Sequence, residues 1–146
     1  MDIRITFDKE APAAQSEALY RQYSFDARNG WNLIMLGEDA YEAQADNRLL
    51  YQLERVLETD LHLFDYWHPE VYNKKLNIQN IQQQLETLKT QILRQPLFYE
   101  HIQYGDTTGN AENYLRTEIL NDISFLIAQL ELNRNNGAST LQYTTA

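Results

Sequence analysis

Three histidines are the residues of this 146-residue chain with the widest chemical range, because imidazole both ligates metals and transfers protons near neutral pH. On a helix, His62 would lie one turn from Glu58 and one turn from Asp65, on a shared surface. A zinc or di-iron centre needs three or four ligands that converge from more than one element. Three residues on one helix surface do not enclose an ion, so we expect no metal and no catalytic role for His62.

The other two histidines are less well placed for chemistry. On a continuous helix His68 lies about 240° around the axis from His62, and it joins His62 only if Pro69 turns the chain. His101 follows Glu100 in a segment that we expect to be a loop, where neighbours in sequence need not converge. We therefore expect substitution of His62 or His101 to leave activity within a few-fold of the natural chain.

Motifs of enzymes and cofactor-binding proteins are missing from the sequence. No serine lies in a Gly-x-Ser-x-Gly elbow, and the turn Gly105–Gly109 lacks the lysine of a phosphate-binding loop. Glu118 and Asp122 have the spacing of surface neighbours on one helix. We expect no catalytic residues and no cofactor, and a small enzyme that uses His62 or His101 is the third of our alternatives.

Acidic charge is the strongest signal in this chain. The net charge is −9, and fourteen of the 21 acidic residues lie in residues 1–70. Nine of them lie between Glu38 and Glu70, where the basic residues are Arg48 and Arg55. A surface whose charges share one sign speeds encounter with a partner of opposite charge. Nucleic acids and anionic membranes, in contrast, are bound by lysine and arginine. We expect a basic protein partner, no nucleic acid and no membrane.

The apolar periodicity of residues 38–67 predicts one helix that presents these acids, with Pro69 just beyond its end. A ridge of Leu50, Leu57 and Leu61, interleaved with carboxylates, would form either a second packing face or an anchor with an acidic rim. Interface energy concentrates in a few such anchors, and rim charges set the rate of encounter. The predicted partner-binding residues are Glu38, Asp39, Glu42, Asp46, Leu50, Glu54, Leu57, Glu58, Leu61 and Asp65.

The remaining patterns predict a mainly α fold, a single-domain helical bundle of three to four main helices over residues 1–133. Alternation of apolar and polar residues predicts a strand at Ile3–Phe7, the minor strand element near the termini. Helices are predicted for residues 13–28, which Asn29-Gly30 would end, and for residues 111–133. The apolar run 31–36 fits a strand and a buried helix start equally well.

A narrow apolar seam predicts a further helix that ends before Pro96. Its members alternate at intervals of three and four residues: Ile78, Ile81, Leu85, Leu88 and Ile92. The seam suits an outer bundle helix or a short coiled coil, so the second alternative is a homo-oligomeric adaptor or secretion chaperone that uses Ile78–Ile92. Two heptads are too few for a convincing coiled coil, and we expect a monomer.

Residues outside these helices are predicted to be irregular. Residues 97–110 have the composition of a loop. The polar C-terminal tail, residues 134–146, would be either frayed or a short edge strand that pairs with Ile3–Phe7.

Bulk properties complete the hypothesis. The chain has no cysteine, its start lacks the basic and apolar regions of a signal peptide, and no apolar run approaches the ~20 residues of a membrane span. We expect a cytoplasmic location. In size and charge the chain resembles bacterial immunity proteins and other small acidic antagonists. That resemblance implies an immunity protein or antitoxin that occludes the basic cleft of a nuclease-like toxin.

Overall fold

A computed structural model of the chain describes residues 3–23, 32–37, 47–105 and 108–145. In this part the fold is mainly α, as predicted, but it is not a regular bundle, because a three-stranded antiparallel sheet contributes to the same core. The strands are β1 (Ile3–Phe7), β2 (Leu76–Asn77) and β3 (Thr140–Thr145). The helices are α1 (Ala13–Arg21), α2 (Asn32–Met35), α3 (Leu49–Leu57), α4 (Ile78–Arg94), α5 (Asn110–Asn113) and α6 (Ile119–Asn135).

The sheet joins both ends of the described chain in the order β1-β3-β2. Leu141 in β3 is opposite Phe7 on one side and Leu76 on the other, and all three side chains are buried. The predicted pairing of the tail with β1 is confirmed. The prediction of an edge strand is wrong, since Leu141 and Tyr143 alternate into the core and β3 forms the centre of the sheet.

Polar contacts fasten the segment before β3 to the rest of the fold. The carboxylate of Asp8 accepts hydrogen bonds from the backbone nitrogens of Thr140, at 3.1 Å, and Ser139, at 3.0 Å. These donors stabilise the ionised form and lower the pKa of Asp8. The buried Asn133 Oδ1 accepts a hydrogen bond from Ala11 N at 2.8 Å. The described segment 138–145 is therefore anchored to the core and is not a frayed tail.

α4 confirms the helix predicted from the apolar seam. The side chain of Asn77 caps its first turn by accepting a hydrogen bond from Gln79 N at 2.8 Å. α4 packs against α6. The seam is buried within this chain at all five positions: Ile78, Ile81, Leu85, Leu88 and Ile92.

The first helix is shorter than predicted. α1 ends at Arg21, whereas the prediction extended to residue 28, and the predicted stop at Asn29-Gly30 lies outside the described residues. In the run 31–36, the described residues adopt the helical turn α2, which decides between the two alternatives that the sequence left open.

The C-terminal prediction is confirmed and gains detail. The helix predicted for residues 111–133 is present as α5, a π turn at Tyr114–Glu118 and α6 in direct succession. The segment 97–110, predicted as a loop, contains a 3-10 turn at Phe98–His101.

The long helix predicted for residues 38–67 is wrong. The backbone of Arg48 is extended immediately before α3. Glu58 adopts a left-handed conformation with φ of 51°, which ends the helix at Leu57, ten residues before the predicted end. The carboxylate of Glu54 then accepts a hydrogen bond from Leu61 N at 2.8 Å and holds the turn. Leu61 is fully buried, so the apolar period continues although the helix does not.

Candidate functional site

The predicted anchor ridge is part of the core. Leu50, Leu57 and Leu61 have no exposed surface. α3, which carries Leu50 and Leu57, packs against both α4 and the 3-10 turn at Phe98–His101, and Leu61 is buried from the turn after α3. These leucines are therefore unavailable to a partner. Four predicted acids lie outside the described residues: Glu38, Asp39, Glu42 and Asp46.

Asp65 was predicted to contact a partner but is buried in an ionic contact with Arg48. The guanidinium of Arg48 donates to both carboxylate oxygens of Asp65, at 2.9 and 3.3 Å. The hydroxyl of Tyr51 donates to the same carboxylate, as does the backbone nitrogen of Trp67 at 3.1 Å. Burial, followed by the hydrogen bond to Asp65, raises the pKa of Tyr51. Asp65 thus holds the segment after α3 against the helix.

Exposed acidic charge in the described part of this region comes from the segment 58–70. Glu58 is exposed, and the side chains of Asp60 and Glu70 are 62% and 69% exposed. Glu54 is half-buried and bonded to the backbone of Leu61. The acidic rim therefore lies on an irregular turn and not along a helix.

An aromatic pair stands at the surface of the same segment. The rings of Trp67 and Tyr72 are stacked, with centroids 5.3 Å apart and planes at 19°. Their residues are 50% and 48% exposed, while Tyr66 is buried and packs edge-on against both. Trp67 is the last residue of the helix predicted for residues 38–67, and sequence reasoning did not single it out. The signal that it missed is the concentration of aromatic residues around Pro69.

His62 lies between two carboxylates that sequence reasoning did not pair with it. Its Nδ1 is 2.6 Å from Asp60 Oδ1, and its Nε2 is 2.9 Å from Glu70 Oε2. The ring of His68 is 5.0 Å from that of His62, because the chain turns between them and does not continue as a helix. The prediction assigned such a turn to Pro69, whereas the chain turns before Pro69, between His62 and His68.

The predicted neighbours of His62 were different. On a continuous helix Glu58 and Asp65 would have flanked it, but the left-handed Glu58 and the 3-10 turn at His62–Phe64 break that spacing. Asp60, two residues before His62, takes their place. Among the residues that the structure describes, no group of three or more histidine, aspartate or glutamate side chains could hold a metal ion.

The electrostatics of this histidine follow from its two partners. Partial burial disfavours the imidazolium, but the hydrogen bonds and charges of Asp60 and Glu70 outweigh burial and raise the pKa of His62. Burial likewise disfavours the charged form of Asp60, yet its contacts with His62 lower the pKa of that carboxyl. The trio favours a positively charged ring between two negative groups.

This trio lines a cleft of about 430 Å³ between the segment 59–70 and α4. The helix side of the cleft is polar and uncharged, with Asn80, Gln84 and Thr87 among its lining residues. Gln84 and Thr59 were not singled out in the sequence, since no local motif marks residues that only the tertiary fold brings together.

Comparisons with known proteins give this chain no relatives: no protein-family model, no curated protein and no solved structure matches it. Within the described ranges, no helix has the length and apolar content needed to cross a membrane.

Proposed function

We propose that this chain is an acidic inhibitor that binds and neutralises a cationic protein, as an immunity protein or antitoxin does with a nuclease-like toxin. The observation that carries the proposal is the stacked Trp67–Tyr72 pair, half exposed on a segment that also bears the exposed carboxylates Asp60 and Glu70. The proposed anchor is therefore aromatic, in place of the leucine ridge.

Aromatic side chains are the commonest anchors of protein interfaces. Tryptophan and tyrosine offer large contact areas with few rotatable bonds, and removal of one such anchor often costs at least ~2 kcal/mol of binding free energy. Here the edge contacts with the buried Tyr66 hold the stacked rings in place before any partner arrives. A pre-ordered anchor loses less entropy on binding.

The net charge of −9 supports a basic partner. Nucleic-acid enzymes carry basic clefts, and a protein that presents carboxylates can occupy such a cleft in place of phosphates. Rim carboxylates mainly accelerate encounter, so their contribution belongs to the association rate. Lys74 and Lys75 follow the aromatic pair and are exposed, which confines the acidic rim to the segment before Tyr72.

The structure weighs against the adaptor alternative. An adaptor or chaperone that dimerises through Ile78–Ile92 needs that seam on its surface, and every seam residue is buried inside this chain. The oligomeric state itself stays a prediction, which we test below.

The proposal is tested by recovering the chain from its native host at low salt and identifying any stoichiometric partner. We expect a basic protein whose association rate falls about tenfold or more between low and near-physiological salt. Trp67→Ala should weaken binding about 30-fold, mainly through faster dissociation. Leu93→Ala is the matched control, since Leu93 is 62% exposed on α4.

Charge reversal separates steering from contact. The substitution Glu58→Lys should slow association, whereas Glu131→Lys makes the same change of charge at an exposed position on α6. Equal effects of the two substitutions would show that net charge alone matters. A neutral or acidic partner, or an association rate insensitive to salt and to charge reversal, would refute the proposed function.

A further inference from the structure

The cleft between the segment 59–70 and α4 contains polar atoms without partners. Thr59 is 7% exposed, and its Oγ1 has no hydrogen-bond partner in the protein. Gln84 Oε1 also has no hydrogen-bond partner in the protein. This atom is buried, although the residue as a whole is only partly buried. Both residues line the cleft. Buried polar atoms are almost always paired in folded proteins, and an unpaired one calls for an explanation such as a bound ligand.

The mouth of the cleft is acidic, in contrast to its uncharged polar interior. Asp60 and Glu70 line it with side chains more than half exposed, while the side chain of His62 between them is 25% exposed. No lysine or arginine is among the described residues that line the cleft. The groups that face His62 and carry or can carry charge are Asp60, Glu70 and His68, since α4 contributes Asn80, Gln83, Gln84 and Thr87.

The carboxylates of the cleft and its two unpaired oxygen atoms can all accept hydrogen bonds. Two carboxylates, the amide oxygen of Gln84 and the hydroxyl of Thr59 supply oxygen acceptors at both the mouth and the interior. Guanidinium carries five N–H donors in a planar fork, enough to reach carboxylates and an amide oxygen at once, whereas an ammonium offers three donors at one point. The arrangement suits a planar cation with several donors.

We propose that this cleft binds a guanidinium group, carried by an arginine side chain of the cationic partner. That the guanidinium belongs to a partner protein rests on the proposed function. That the bound group is a guanidinium rests on the cleft alone. Inside the cleft, Thr59 Oγ1 and Gln84 Oε1 accept hydrogen bonds from the guanidinium. At the mouth, the carboxylate of Glu70 neutralises the charge of the guanidinium.

His62 controls access to this site. The doubly protonated ring donates to Asp60 and Glu70 together, whereas the neutral ring has one N–H and can donate to one of them. Glu70 has the longer contact, 2.9 Å against 2.6 Å, and is the carboxylate expected to be released. Deprotonation of His62 therefore frees an acceptor and removes a competing cation, so guanidinium binds more tightly as the pH rises.

The cleft is tested without the partner by titrating the intact chain with ethylguanidinium chloride and following backbone amide resonances by NMR. We expect saturable shifts at residues of the cleft, with a dissociation constant on the order of 1–10 mM for so small a probe. Affinity should rise about threefold or more from pH 5.5 to pH 8. Equal binding of ethylammonium, or shifts that do not saturate, would overturn the guanidinium assignment.

Two variants test the unpaired atoms themselves. Gln84→Leu and Thr59→Val should each weaken binding of ethylguanidinium about tenfold. Both should fold with an unchanged or raised melting temperature, because each removes a buried polar atom that lacks a partner. Gln79→Leu is the control, an exposed glutamine of α4 outside the cleft. Undiminished binding by both cleft variants would overturn the proposal.

The partner supplies the last arm of the test. Gln84→Leu should weaken its binding about tenfold, and Gln79→Leu should not. If the probe binds but Gln84→Leu does not weaken binding of the partner, the assignment to an arginine of the partner is wrong. The proposed function would then depend on the effect of Trp67→Ala. If no cationic partner exists, the proposed function fails whatever the probe does.

Discussion

The hydroxyl of Tyr114 lies 2.8 Å from the carboxylate oxygen Oδ2 of Asp122, and both side chains are buried. Tyr114 begins the π turn at Tyr114–Glu118, whereas Asp122 lies in the first turn of α6. Burial, followed by the nearby charge of Asp122, raises the pKa of Tyr114. The phenol therefore stays protonated and donates to the carboxylate.

We predict that Tyr114→Phe lowers the free energy of unfolding by about 2 kcal/mol, because a buried carboxylate loses a donor. Chemical denaturation with the helical signal as readout measures this loss. Tyr23→Phe is the control, since its hydroxyl makes a 3.4 Å contact with Ser124 O and should contribute less than ~1 kcal/mol. Equal losses in the two variants would contradict a special role for the Tyr114–Asp122 pair.

We predict that His62 makes the stability of the protein depend on pH. Because the pKa of His62 is raised in the folded state, the ring contributes its stabilisation fully below its unfolded pKa of about 6.5 and loses it as the pH rises through the folded value. The free energy of unfolding should therefore fall between pH 5.5 and pH 8.5, by on the order of 1 kcal/mol for so exposed an ion pair.

The variant His62→Gln isolates this contribution from other titrating groups. Urea denaturation of both proteins across the range should show a shallower pH dependence in His62→Gln than in the natural chain. His101→Gln serves as the matched histidine control, since His101 is exposed on another segment. A pH dependence that survives in His62→Gln unchanged would contradict the electrostatic argument for the trio.

We predict that Leu141→Ala destabilises the protein by about 2–5 kcal/mol, since it opens a cavity where β3 meets both of its neighbours. Leu93→Ala makes the same chemical change at a position 62% exposed and should cost less than ~0.5 kcal/mol. Thermal denaturation of the two variants compares them directly. A small loss for Leu141→Ala would argue against a central position for β3.

We predict a monomer at micromolar concentration, and we expect Leu88→Glu to unfold the chain. Leu88 has no exposed surface, so a carboxylate there would be buried without a partner. Light scattering gives the mass, and circular dichroism gives the helical content. A dimer of the natural chain that Leu88→Glu converts into a folded monomer would restore the adaptor alternative.

Periodicity correctly predicted the elements in which the regularly spaced apolar residues are the buried residues. The strand Ile3–Phe7 and the seam Ile78–Ile92 appear where the alternating and helical patterns place them. The pattern failed after α3, because Leu61 and Phe64 are buried from a short 3-10 turn and the residue before it, and so continue the apolar period outside an α-helix. A left-handed Glu58 has no signature in sequence, since few residues other than glycine adopt that conformation.

The candidate site was less accessible to sequence reasoning than the fold. Asp60 and Glu70 were recognised as part of an acidic region, but their convergence on His62 depends on how the chain turns after Glu58. Gln84 reaches the same cleft from α4, through a contact between distant parts of the chain. The exposed stacking of Trp67 on Tyr72 likewise depends on the turn of the chain around Pro69, which no local pattern encodes.

The register of the sheet has a consequence for how the chain reaches its folded state. Ile3 pairs with Thr145, so the first described strand finds its partner only among the last described residues. Contacts so distant in sequence are slow to form, because a long loop must close before any of its ladder hydrogen bonds is gained. On the ribosome, β1 and β2 emerge with the position between them still empty. Until β3 emerges, Phe7 and Leu76 therefore lack the side chain of Leu141 that lies opposite both of them in the folded sheet.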